Sequence, residues 1–344
     1  MKIYAKALSV LLLSGLSATG LHAQAPAPPV KDLGEPAPAL TVGKWLKGGE
    51  VDGLKKGKVY VVEFWATWCL PCIAGMPHLS AVAHEFKDVT VIGCSILERK
   101  TTDLATIEKF VAGKRDTMDY HVAVDDGSKM ADNWLKAYGE RGIPFAFIVD
   151  KQNRIAWAGH PMNLDKILPQ VVSGKWNVEK AAADRKDMQR LSKIDGNEVV
   201  TTLNKYMGRP GNPVGALARI DSFLKVEPGL KYYPKMGHFT FVALAKTNEA
   251  KALPFAKTWF EANNDAPSYA TVTDAVNYLE HPSPEMYAFA AYCYQAQIDR
   301  YPWSMDLKVT YKAMADLYKK GGDEKKAAEF AKKSDAAPAG RPAH

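Results

Sequence analysis

The chain has 344 residues, a formal net charge of +7, 24% charged residues and four cysteines. That length suits two domains, and four cysteines are too few for a disulfide-stapled scaffold. Its positive charge is dispersed: the Lys-rich tract from Lys319 to Lys333 is interleaved with Asp323, Glu324 and Glu329, so nucleic acid is not expected as a partner.

Lys2 and Lys6 precede an apolar stretch from Ala7 to Leu16, then small and polar residues up to Ala23. This is the layout of a secretory signal peptide, residues 1–23, which predicts a periplasmic or otherwise extracytoplasmic protein. Its removal takes away Lys2 and Lys6 and leaves +5. The alternative is an uncleaved anchor, but the run is short for a bilayer, and no membrane contact is expected beyond it. Residues 24–32, rich in Ala and Pro, read as a flexible lead-in.

From Leu33 to Lys58, Gly and Pro separate short segments around Ala39–Val42 and Glu50–Asp52, read as a small hairpin. Val59 to Ala66 is apolar at nearly every position, the pattern of a central strand buried on both faces. The spacing of Ile73 to Phe86 predicts a helix, Val89 to Ser95 a second buried strand, Asp103 to Ala112 a helix and Tyr120 to Val124 a third strand. Lys129 to Tyr138 reads as a helix closed by Gly139, Phe145–Val149 and Arg154–Ala158 as a hairpin, and Leu164 to Val172 as a closing helix. Together these predict an α/β domain with a mixed central sheet flanked by helices, residues 33–175.

Beyond Gly174 no period-two alternation is found. Val272, Ala275, Val276 and Leu279 repeat at helical spacing, as do Leu307, Tyr311, Met314 and Tyr318. Residues 176–335 therefore read as an all-α domain, with 336–344 a disordered tail. Further helices are expected at Met188–Ile194, Val199–Met207, Val214–Val226, Pro254–Ala262 and Glu285–Arg300. The closing pair, joined at Gly321-Gly322, has Tyr318, Gly322, Ala327 and Ala331 at spacings like those of a tetratricopeptide hairpin, and an ordinary bundle fits equally well.

The chemistry concentrates at Trp68-Cys69-Leu70-Pro71-Cys72, between the strand and the helix. Two cysteines at the first turn of a helix can close a small disulfide ring, and the free N–H groups there favour a thiolate on the leading sulfur. Cys69 would be the exposed nucleophile and Cys72 the resolving thiol. Zinc would need a second ligand pair, which the separated Cys94 and Cys293 do not form, and haem attachment would need His where Ile73 stands. No cofactor is expected. A purely structural disulfide stays open, although so short a loop restrains little chain entropy. Cys94 and Cys293 read as small core residues, and His78 and His84, six apart, as surface residues.

Glu63 is the one carboxylate in the apolar strand. Burial would raise its pKa, and a carboxyl poised near neutrality beneath a dithiol can take the proton from Cys72; the alternative is a solvated or structural role. Arg141-Gly142-Ile143-Pro144-Phe145 suits a tight entry turn, with either isomer at Ile143-Pro144 open.

Val61 to Cys72, followed far downstream by Tyr138 to Pro144, resembles thioredoxin. The longer segment between them and the leading Gly34-Glu35-Pro36-Ala37-Pro38 resemble the exported TlpA-like and ResA-like thiol-disulfide oxidoreductases, over about Leu33 to Trp176. The resemblance implies a thioredoxin-like fold and a disulfide reductase or exchanger whose partners are disulfide-containing client proteins and an upstream electron donor. It makes Cys69 and Cys72 the redox-active disulfide, Glu63 the buried acid, Pro144 the cis-proline facing the cysteines, and Trp68, Ile143 and Pro144 the substrate-binding residues. Ile143 is the residue found before that proline in reducing thioredoxins, which points toward reduction. A Glu that many TlpA-like proteins carry three residues after the second cysteine is Gly75 here, so Glu63 is left as the candidate for proton transfer. The peroxiredoxin pattern Pro-x-x-x-Thr-x-x-Cys is not met ahead of Cys69, where Val62 and Ala66 stand. The rival reading is an interaction or scaffold protein whose helical domain carries the main role, with the α/β half as a binding module.

Overall fold

The structure, a computed structural model, describes residues 30–208, 211–263, 266–300, 305–338 and 340. The signal peptide at 1–23, most of the lead-in and most of the tail expected at 336–344 lie outside the described residues.

Six strands form one mixed sheet in the order β1-β4-β3-β2-β5-β6. They are β1 (Val42–Lys47), β2 (Val59–Trp65), β3 (Val89–Ser95), β4 (His121–Asp125), β5 (Phe145–Val149) and β6 (Ile155–Gly159). β2, β3 and β4 run parallel, so each needs a crossover: α1 (Leu70–Glu85) joins the first two and α2 (Leu104–Lys114) the next. β1, β5 and β6 are antiparallel to their neighbours. Every residue of β2 is buried, as its unbroken apolar run requires for a strand covered on both faces.

Successive side chains of β2 point to opposite faces. Phe64 faces Phe147, Trp134 and Tyr138 in a set of edge-on ring contacts. Trp65 points the other way and stacks on Phe110 of α2, with ring centroids 5.5 Å apart. α1 belongs to that second layer, because Ser80 on it accepts a hydrogen bond from the Asp119 amide just after the short helical turn that follows α2. α3 (Leu164–Val172) joins it through a hydrogen bond between His78 Nε2 and Asp165 at 2.8 Å.

Three expectations are corrected here. The hairpin before Lys58 does not form: β1 pairs with β4 some eighty residues on, and Gly48 and Gly49, both at positive φ, turn the chain away. The segment after β4 is not one α-helix but a π-helical turn, Ala131–Leu135, running into a 3-10 turn, Lys136–Tyr138, which buries Trp134 and Tyr138 and ends at Gly139 with φ +79°. His78 is also mostly covered rather than on the surface, whereas His84 is exposed and paired with Asp119.

The rest of the chain is helical: α4 (Val178–Ile194), α5 (Val200–Met207), α6 (Pro213–Val226), α7 (Pro234–Thr247), α8 (Glu249–Asn263), α9 (Ala266–Ala275), α10 (Pro284–Arg300), α11 (Leu307–Lys320) and α12 (Glu324–Ala336). α4 starts ten residues before the expected Met188, its N-cap Asn177 accepting from the Lys180 amide at 2.7 Å. Its first turns are charged and carry no apolar repeat, so only the cap marks them. Val178 is buried in the same apolar cluster as the sheet, whereas the later helices make their own clusters, one around Leu203, Leu230 and Phe239 and one around Phe241, Trp259, Phe289 and Phe330.

Candidate active site

The site is built where β2 ends. Ala66 to Trp68 carry the chain out of the sheet, the Cys69 amide donates to the Ala66 carbonyl, and Cys69 becomes the N-cap of α1 with Pro71 in the first turn. The Cys69 sulfur accepts from the Cys72 amide at 3.3 Å, and the two sulfurs are bonded at 2.01 Å. No acidic side chain stands in that first turn, so the positive end of the helix acts on the sulfurs unopposed by a local carboxylate. Cys94 and Cys293 are free and buried, and burial raises both thiols well above their usual range.

The expected exposure of Cys69 is not found. Cys69 is 3% exposed and packs in the sheet's apolar cluster, whereas Trp68 beside it is 39% exposed.

Glu63 stands mid-strand in β2, opposite Gly93 of β3 and Ala146 of β5. Alternation puts it on the face of Trp65, under the layer that contains α1. It is 1% exposed, and desolvation raises its pKa to about 8. Gly93 is required beside it: a Cβ there would lie 2.8 Å from the Tyr120 ring and 3.4 Å from Trp65 Nε1. Tyr120 Oη and Trp65 Nε1 are buried with no hydrogen-bond partner among the described residues, and burial, then the Glu63 charge, push the Tyr120 hydroxyl well above its usual range.

Pro144 follows a cis peptide bond from Ile143, and both residues are half-buried. Phe145 pairs with Phe64 near the end of β2, so the Ile143-Pro144 loop and the Cys69 turn share one end of the sheet. Cys69, Cys72, Trp68, Ile143 and Pro144 thus lie at one end of the sheet, with Glu63 in the strand that leads to them.

Two residues escape the sequence reading. Glu98 accepts from the Thr67 amide and hydroxyl, both at 2.7 Å, and from the Ser95 hydroxyl at 2.8 Å, which ties the turn before Cys69 to the end of β3. Leu97 holds φ +55°, a left-handed conformation costly for a side chain with a Cβ, while its carbonyl accepts from Trp68 Nε1 at 2.9 Å. Neither stands out in a polar stretch such as Glu98-Arg99-Lys100. The one signal is positional: parallel pairing of Trp65 with Ser95 brings whatever follows β3 next to whatever follows β2.

Residues 33–158 match the family model described as AhpC/TSA family. The chain is 31% identical over 150 residues to protein FixW of Rhizobium leguminosarum, covering 42% of this chain and 68% of that one. It is 32% identical over 128 residues to the thiol-disulfide oxidoreductase ResA of Bacillus cereus, covering 36% and 67%. It is 29% identical over 155 residues to the thiol:disulfide interchange protein HelX of Rhodobacter capsulatus, covering 43% and 81%. Likeness over the stretch that holds the bonded cysteine pair places this chain in the ResA-like thiol-disulfide oxidoreductases of the thioredoxin superfamily, as a member with a helical region following its redox domain.

Proposed function

We propose that the chain reduces or exchanges disulfides in client proteins outside the cytoplasm, with Cys69 as nucleophile, Cys72 as resolving thiol and Glu63 as the proton acceptor. In the reducing direction the Cys69 thiolate attacks one sulfur of the client disulfide, and the other client sulfur leaves as a thiolate that takes up a proton. Cys72 then gives its proton to Glu63 and attacks the Cys69 sulfur, releasing the second client thiol. Two electrons pass to the client, and the enzyme is left with the Cys69–Cys72 disulfide, which a donor dithiol must reduce again. Trp68, Ile143 and Pro144 would hold the client segment, the loop offering its backbone groups to an extended chain.

The observation that carries this reading is the bonded pair at the opening turn of α1, at the sheet end shared with the Pro144 loop. Export is supported by the residues ahead of Ala23, and among the described residues no helix is long and apolar enough to cross a membrane. A mature chain beginning at Gln24 after expression in a secreting host is the expected result; an intact Met1 on the exported protein would contradict cleavage there.

The direct test is insulin reduction with dithiothreitol, wild type against Cys69→Ser. Turnover in the variant should fall to the uncatalysed background. Equal rates would defeat the enzymatic role of Cys69.

A further inference from the structure

One contact joins the helical region to the loop that carries Pro144. Arg185 lies in α4 with only 8% of its side chain exposed. Its Nη2 donates to the Tyr138 carbonyl at 2.8 Å and to Glu140 Oε1 at 2.9 Å, and its Nη1 lies 3.9 Å from Asp32, which Lys186 also pairs at 3.0 Å. A guanidinium so nearly enclosed is costly unless its donors are used, and its rigid fork fixes the groups it holds in direction as well as distance.

Those groups are the root of the loop. The Tyr138 ring is fully buried, edge-on to Phe147 at 5.3 Å, and Gly139 reverses the backbone at φ +79°. The Glu140 amide then closes on the Leu135 carbonyl at 3.0 Å. Arg141 to Pro144 bridge from there to Phe145, which is held in the sheet opposite Phe64, and Arg141 and Gly142 are exposed. The loop therefore hangs between two anchors: the sheet on one side, and Tyr138–Glu140 braced by Arg185 on the other. α4 is itself firmly seated, by the burial of Val178 in the sheet's cluster and by Trp176 Nε1 donating to the Ala156 carbonyl at 2.9 Å just ahead of it.

We propose that Arg185 is a positioning residue: through Tyr138 and Glu140, the first helix of the helical region sets the Pro144 loop beside the Cys69 turn, so that client binding depends on this helix while sulfur chemistry does not. The inference rests on the client-reducing function proposed above and gives the helical region a part in it. A brace that served stability alone would leave the affinity for clients untouched in any variant that still folds.

The experiment uses the full chain and two extended peptides joined by a single disulfide, with dithiothreitol as reductant. KM for the peptide disulfide should rise about tenfold in Arg185→Leu, and less in Arg185→Lys and Glu140→Gln, as expected when a substrate-holding segment is slightly displaced. kcat, and direct reduction of the Cys69–Cys72 disulfide by dithiothreitol followed by fluorescence, should stay within about twofold of wild type. Unchanged KM in variants with a wild-type circular dichroism spectrum overturns the inference, as does a fall in the dithiothreitol step that matches the loss on peptide. Should Arg185→Leu not fold, Arg185→Lys and Glu140→Gln decide by the same criteria. A wild-type chain that exchanges with dithiothreitol yet never turns over the peptide would remove the client reading, and this inference with it.

Discussion

The sheet half and the helical half hold their buried carboxyls differently. In the helices Asp195 accepts from the Lys235 and Met236 amides, both at 2.8 Å, while the hydroxyls of Thr240, Thr247 and Thr310 bond back to carbonyls four residues earlier. At the end of β2 the polar groups are satisfied across distant elements, as with Glu98 on Thr67, or left costly, as with Glu63. Leu97, held at φ +55°, lies beside the same turn through its bond from Trp68 Nε1.

If that contrast is right, substitutions should separate by their effect on disulfide turnover. Loss of Cys69 comes first, by the insulin assay already described. Glu63→Gln should come next, slowing resolution of the mixed disulfide by about a hundredfold while its formation is little changed, as rapid-quench sampling would resolve. As a base Glu63 must lose its proton, so wild-type resolution should accelerate as pH rises through about 8, and the variant should lack that rise. Equal rates of both steps over this range would remove its role.

The same carboxyl has a signature in stability. Its folded pKa of about 8 lies above the ordinary 4.5 of a solvated carboxyl, so below pH 4.5 both states are protonated and nothing is lost. Between 4.5 and 8 only the unfolded chain ionises, so stability falls as pH rises. At pH 7 the penalty is about 3 kcal/mol, which Glu63→Gln should recover in denaturant titrations. A variant no more stable than wild type at pH 7 would mean that Glu63 is solvated.

Glu98→Ala should have a smaller effect. It leaves the Thr67 amide and hydroxyl and the Ser95 hydroxyl without their shared acceptor, a loss of about 1–3 kcal/mol in stability, with a modest fall in peptide turnover as the Trp68 turn loosens. Smallest of all, Phe330→Ala should leave turnover unchanged although it destabilises its own cluster by about 3 kcal/mol, Phe330 being buried against Tyr318 with ring centroids 5.4 Å apart. If Phe330→Ala impaired peptide turnover as strongly as Glu63→Gln, the two halves would not be separable in this way.

Much of this architecture can be read from residues, for identifiable reasons. Glu63 announces itself because an apolar strand makes any carboxylate conspicuous, and the cysteine pair because its strand-to-helix setting is local. β1 cannot be found this way, since its partner lies in β4 and no neighbouring segment shows the pairing. Arg185 looks like any other charge on the polar stretch of α4, because what distinguishes it is the Tyr138 carbonyl brought to it by the fold. The burial of Cys69 is likewise a property of the cluster the fold packs against it rather than of its neighbours in sequence.

The division of labour between the two sulfurs is tested most directly by mass spectrometry of reduced Cys72→Ser and Cys69→Ser, each mixed with a disulfide-linked peptide pair. The account predicts a lasting peptide adduct on Cys69 in the first variant and little or none on Cys72 in the second. A stronger adduct on Cys72, or none on Cys69, would contradict it.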